Sequence, residues 1–187
     1  MKKSKNLIVA AALLTALTML VAFSTKETPK EASRRTAIMV TDWERAKAYT
    51  LEYLNASTDE VINFKPTAEM RSFGQQMLHL TEANYGFAST ASGKENPVPF
   101  GSLEKSDKYK TKDAVTKEVM ASYDFVIAAV KEMPESKMSE MVKLFGKFDV
   151  SRGGAMEKAF EHQTHHRGQT TVYLRLKGIT PPGEKLF

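Results

Sequence analysis

The stretch Glu161-His162-Gln163-Thr164-His165-His166-Arg167-Gly168-Gln169 holds three of the four histidines in the chain. His162 and His166 are one helical turn apart. Residues four apart stack on one face of a helix, about 6 Å apart along its axis, so one cation could join the two imidazoles. The fourth histidine, His79, lies far upstream in another segment that reads as helix. His79, His162 and His166 together would offer three nitrogen ligands, a set that suits Zn²⁺, Ni²⁺ or Fe²⁺. Three protein ligands leave at least one position open for water or substrate, the pattern of a catalytic site. The competing reading is of core-edge histidines satisfied by hydrogen bonds. His165 projects roughly 60° from His162 and reads as a boundary residue.

The surroundings of these residues bear on their charge. On the helix that carries the pair, Ala159, His162, His166, Gln169 and Tyr173 form one stripe. Met156, Phe160, Gln163, Thr170 and Leu174 form its neighbour. The pair therefore borders an apolar face, which favours neutral imidazole, the form that binds metal. Gln169 and Tyr173, one and two turns further along, are candidates to orient the ligands or face a substrate. His79 shares its line with Ser72, Gln75, Gln76, Ala83 and Gly86, mostly small residues that leave room for a neighbouring helix or a bound molecule. Glu82, one turn from His79, is weighed as a general base, and more simply as a solvated carboxylate.

Four long helices must position these residues. Thr41-Asp42-Trp43-Glu44 fits a capping box, with Trp43, Ala46, Thr50, Tyr53 and Leu54 on one face of the helix that follows. Ser57-Thr58-Asp59-Glu60 is a second capping box and predicts a short helical turn ending near Ile62. Pro66 breaks the chain and Thr67 is read as the cap of a second long helix, with the stripe Phe73, Met77, Leu80, Asn84 and Phe87. Ala91 to Lys110 reads as a long loop, and with the first helix it is expected to wall the site. Thr111 and Asp113 open a third helix whose apolar stripe runs from Val115 to Met133, before Pro134. Met141 to Val150, interrupted by Gly146, is either a small hairpin or an irregular crossover. Ser151 caps the fourth long helix, which runs to about Lys177 and is closed by Gly178 and Pro181-Pro182. The fold class expected is all-α, a four-helix bundle, whose core is a common place for metal sites.

Composition bounds the partners and the compartment. The 187 residues carry a formal net charge of +5. Lys2, Lys3 and Lys5 precede the apolar run Leu7–Phe23; without them the count is 24 basic against 22 acidic residues, a net of +2. No basic stripe stands out, so a nucleic-acid partner is not expected. Residues 1–24 read as a secretory signal peptide, with an uncleaved membrane anchor as the alternative. Residues 25–40, including the charged run Lys26–Arg35, read as a linker before a domain spanning residues 41–187. The chain has no cysteine, so disulfides, cysteine ligands and a cysteine-linked lipid anchor are all excluded. Export to the periplasm or cell envelope is the expected localisation, with membrane attachment only through the leader.

At these residues the sequence resembles a known family. His162-x-x-His165-His166-Arg167-Gly168-Gln169, then Tyr173-Leu174-Arg175-x-x-Gly178 and Pro181-Pro182, resembles the last helix of DinB/YfiT-like proteins. Phe64-Lys65-Pro66, Arg71-Ser72 and His79-Leu80 look like the family's entry into its second helix. The likeness covers most of the chain from about Thr41. It implies an up-down-down-up four-helix bundle that binds a divalent metal through His79, His162 and His166, often as a dimer. Some relatives are thiol-dependent transferases or isomerases, and others have been labelled metal-dependent hydrolases. Arg167 and Gly168 match the family pattern and are given structural roles, Arg167 pinning the helix to its neighbours and Gly168 permitting close helix approach. The leading expectation is an exported metal-dependent hydrolase or thiol-dependent transferase acting on a small molecule. The alternatives are a non-enzymatic metal or small-ligand binding protein of the envelope, and a metal-free interaction module.

Overall fold

The computed structural model describes residues 29–187, so the leader expected over residues 1–24 lies outside the described residues. Arg35–Phe187 forms one compact unit. Its long helices are α1 (Pro29–Ala56), α3 (Phe73–Ser92), α4 (Lys112–Glu132) and α5 (Arg152–Leu176). A short helix α2 (Asp59–Asn63) follows α1, and a single 3₁₀ turn (Glu135–Lys137) follows α4. Strands β1 (Met141–Leu144) and β2 (Phe148–Ser151) pair antiparallel before α5, so the segment with two possible readings is a hairpin. Its turn places Phe145 and Gly146 at φ 52° and 68°, the left-handed pair that matches the twist of a hairpin.

Side-chain pairs give the direction of each helix. Glu44 meets Lys131 and Lys47 meets Asp124, so α1 and α4 are antiparallel. Trp43 meets Phe160 and Tyr53 meets Thr171, so α1 and α5 are parallel. Asn84 meets Ser122 and Lys94 meets Glu132, so α3 and α4 run together. Gln76 meets Tyr173 while Phe87 meets His162, which sets α3 against α5. The bundle is therefore up-down-down-up. Trp43, Phe73, Met77, Leu80, Tyr123, Met156 and Leu174 fill its centre. Trp43 lies edge-on to both Tyr123 and Phe160, with centroids at 5.8 and 5.4 Å. Among the described residues no helix is long and apolar enough to cross a membrane.

Several boundaries differ from those expected. The first helix already runs from Pro29, the first described residue, and so passes through Thr41 and much of the stretch read as a linker. Nothing between Pro29 and Thr41 breaks the helix. Thr41 is no cap: its hydroxyl donates to the Ala37 carbonyl one turn back (3.0 Å). Thr58, not Ser57, caps α2. Ser72, not Thr67, caps α3, because Ser72 and Gln75 close a reciprocal box (Gln75 N to Ser72 Oγ 3.2 Å, Ser72 N to Gln75 Oε1 2.9 Å). Thr111 and Ser151 cap α4 and α5 as expected. Gly168 is exposed, and a Cβ added there would meet nothing within 4 Å, so it permits no close approach. That role falls to Gly74, packed on Ile62, and Gly86, packed on Phe145.

Candidate metal centre

α3 and α5 bring the three predicted histidines together. One nitrogen from each of His79, His162 and His166 lies within 4.8 Å of the others. The ring centroids are 4.4 Å apart for His162–His166, 4.6 Å for His79–His166 and 5.2 Å for His79–His162. His166 is buried, and the other two are half-buried. Burial is the main cause that lowers the pKa of His162 to about 4 and of His166 to about 3; the neighbouring histidines and Arg71 add to it. Both rings are thus neutral at physiological pH, with a lone pair to offer.

Two of the rings are held at their far nitrogen. Nδ1 of His79 is 2.8 Å from Glu104 Oε1. Glu104 also accepts from Arg71, Nε to Oε2 at 2.6 Å and Nη2 to Oε1 at 3.3 Å. Burial alone would raise the Glu104 pKa, but the hydrogen bonds from His79 and Arg71 and their charges outweigh it and hold it at about 2. An ionised carboxylate only accepts, so His79 must carry its proton on Nδ1 and leave Nε2 free. Nδ1 of His166 is 2.8 Å from Gln76 Oε1, and Gln76 Nε2 donates to Tyr173 Oη at 3.2 Å. His162 has no such clamp: its Nδ1 is buried without a hydrogen-bond partner. Buried polar atoms are seldom left unpaired, and a cation among the three imidazoles suits this donor set. The residues present therefore fit a divalent metal.

The other predicted residues fall in different places. His165 is exposed, its Nε2 accepting from Gln169 Nε2 at 2.9 Å, and neither residue touches the three rings as a ligand. Tyr173 is buried and reaches the site through Gln76. Glu82 is not solvated, and one of its oxygens lies within 4.8 Å of a His79 nitrogen and a Glu104 oxygen. It is 1% exposed, and its carboxylate accepts from Gly101 N (2.8 Å) and Leu103 N (2.5 Å). That bond pair moors the loop after α3, which delivers Glu104 to His79. Arg167 pins α5 as expected, donating from Nη1 to Gln163 Oε1 (2.8 Å) and lying 4.5 Å from the Tyr49 ring centre. Tyr123 donates to the same Gln163 oxygen (2.9 Å).

Two surfaces flank the rings. On one side a groove of about 850 Å³ is lined by Lys65, Arg71, Glu104, His165, His166 and Gln169, among others. None of its lining comes from α1, and the Ala91–Lys110 loop contributes Glu104. On the other side Phe100 stands 5.9 Å from His79 and Phe87 stands 5.9 Å from His162. Phe145 joins them, 5.0 Å from Phe87 and 6.2 Å from Phe100. Phe100 and Phe145 are 62% and 50% exposed, so this rim offers apolar surface beside the histidines.

Sequence patterns alone do not single out Glu104, Gln76 or the two exposed phenylalanines as site residues. Glu104 sits in a loop without periodicity, beside other acids such as Glu95 and Asp107. Gln76 shares the His79 line, and that alone is its signal.

Comparison with known proteins agrees with this architecture. The sequence profile of the DinB family matches residues 30–186. A Bacillus subtilis (strain 168) protein, YrdA, is 28% identical over 147 residues, covering 75% of this chain and 82% of its own. A DinB-like protein of Bacillus cereus ATCC 10987 superposes with a TM-score of 0.65 at 21% identity, over 79% of this chain and 95% of that one. A second DinB-like protein, YjoA of Bacillus subtilis, gives 0.63 at 17% identity, over 78% and 95%.

Proposed function

This chain belongs to the DinB family, and from that premise we propose that it is a divalent-metal-dependent enzyme acting on a small electrophilic substrate. Zinc, nickel or iron would be held by His79, His162 and His166. The observation that carries the reading is the convergence of three imidazole nitrogens within 4.8 Å, with two rings locked so that Nε2 stays unprotonated. A metal held by three protein ligands supplies Lewis-acid chemistry, activating water or a thiol at an open position. The protein's own residues do the rest. Glu104 and Gln76 orient the ligands, the groove beside His166 admits a polar substrate, and the aromatic rim limits water on the opposite side. Hydrolysis and thiol-dependent transfer are the two reactions that suit this arrangement. Export through the leader, location in the cell envelope and assembly as a homodimer belong to the same reading.

The first test is metal content by elemental mass spectrometry, on protein without a histidine-rich tag. The expected result is near-stoichiometric divalent metal in the wild type and none in His162→Ala/His166→Ala. Metal absent from the wild type, even after supply of zinc, nickel and iron, would overturn the reading. A second reading, a metal or small-ligand binding protein without catalysis, rests on Glu82: both oxygens of the carboxylate weighed as a general base already accept from loop backbone N–H groups. Cobalt-substituted protein separates the two, since a saturated coordination sphere favours binding and an exchangeable position favours catalysis.

A further inference from the structure

The hydrogen bonds behind His166 form a directed chain. Tyr173 Oη lies 2.8 Å from the Arg71 carbonyl oxygen. A carbonyl only accepts, so the single phenolic proton of Tyr173 is committed there. Towards Gln76, 3.2 Å away, Tyr173 can then only accept. Gln76 must turn its NH₂ to Tyr173 and its oxygen to His166. That oxygen, 2.8 Å from His166 Nδ1, requires a proton on Nδ1. Each link follows from the donor inventory and does not depend on how the amide is drawn. Tyr173 is 1% exposed and Gln76 6%, so water does not relax the constraint.

We propose that Tyr173 is a positioning residue that sets the tautomer of His166 through the side-chain amide of Gln76, keeping Nε2 available to a metal. Removing the phenolic oxygen leaves the Gln76 amide free to rotate. Its NH₂ can then face His166, and Nδ1 becomes an acceptor with the proton on Nε2. The proposal also separates two clamps of different kinds. Glu104 has only acceptor atoms for His79 and needs no further residue to choose its orientation, whereas an amide has two unlike ends and does. Arg71 serves both, by its side chain at Glu104 and by its carbonyl at Tyr173.

This inference rests on the metal-site reading for its purpose but not for its test. The tautomer is read in metal-free protein by ¹⁵N NMR of the histidine side chains, beside zinc affinity by competition with a chromophoric chelator. Wild type should show His166 protonated on Nδ1. Tyr173→Phe, which keeps the buried ring, should show a mixed population and bind zinc about tenfold more weakly. Gln76→Glu/Tyr173→Phe should restore the Nδ1 proton, because both ends of a carboxylate accept. The single Gln76→Glu variant should keep it as well, and serves if Tyr173→Phe does not fold. His166 protonated on Nε2 in the wild type, or unchanged in Tyr173→Phe, would overturn the proposal. Tautomers that shift as expected in a protein that binds no metal would support the lock and overturn the metal reading instead.

Discussion

At the scale of single residues, the candidate centre depends on keeping imidazoles neutral and aimed. His162 and His166 titrate at about 4 and about 3 in the folded protein, against about 6.5 for an unfolded histidine. Between pH 6.5 and 4 the unfolded chain therefore binds more protons than the folded one, so stability falls as the pH is lowered through that window. Thermal unfolding of the chelated protein should show a loss on the order of 3–5 kcal/mol across it, and His162→Gln/His166→Gln should flatten the profile. Glu104, held at about 2, contributes stability present above the ordinary carboxylate value of 4.5 and lost progressively as the pH falls from there towards 2, so the loss above pH 4.5 belongs to the histidines. Replacing Glu104 by Ala should leave His79 without its clamp and weaken zinc binding 10- to 100-fold, measurable by chelator competition. An unchanged affinity would mean that packing alone holds His79. The histidines themselves are legible in the sequence because helical spacing is local: four residues always return to the same face. Glu104 is not, since its place beside His79 depends on the path of an aperiodic loop.

At the scale of elements, that loop is held by one buried carboxylate. Glu82 accepts from Gly101 N and Leu103 N, and its removal leaves two buried or half-buried backbone donors without partners. Glu82→Ala should cost about 2–4 kcal/mol and speed hydrogen exchange at Gly101 and Leu103. Exchange confined to the termini would show that the loop is moored elsewhere. The glycines of α3 offer a graded comparison. A Cβ at Gly74 would meet Ile62 Cγ2 at 2.8 Å and the Ile62 carbonyl oxygen at 3.0 Å, and backbone cannot easily yield. A Cβ at Gly86 would meet only Phe145, its Cε1 at 3.1 Å, the edge of a half-exposed ring. Gly74→Ala should therefore destabilise by about 1–3 kcal/mol and Gly86→Ala by clearly less, as read by chemical denaturation. Caps at Thr111 and Ser151 are legible because each is followed at once by a helical stripe. The start of α1 is not. Its opening turns are polar and charged, so composition alone points to a linker, whereas nothing in them opposes a helix.

At the scale of the whole molecule, α5 decides how the bundle closes. Its residues alternate between two tasks. His162 and His166 turn towards α3, while Gln163 and Arg167 turn towards Thr50 and Tyr49 on α1 and Tyr123 on α4. Arg167 is buried with an amide oxygen, a hydroxyl and an aromatic face as its partners, so the network holds only while those dipoles keep their places. A bound metal adds to the folded state alone. At a free concentration 100 times Kd, it should raise stability by about 2.7 kcal/mol, seen as a higher Tm that a chelator abolishes, and His166→Ala should erase the difference. The four-helix class is legible because each long helix carries its own apolar period; the relative rotation of the helices is written in polar side chains that find partners only after assembly. The interleaving of the two tasks on adjacent positions of α5 works as an error check. A one-residue slip of that helix turns it by about 100° and would misplace both sets at once, so a misthreaded bundle announces itself by losing its histidine cluster and its buried arginine together.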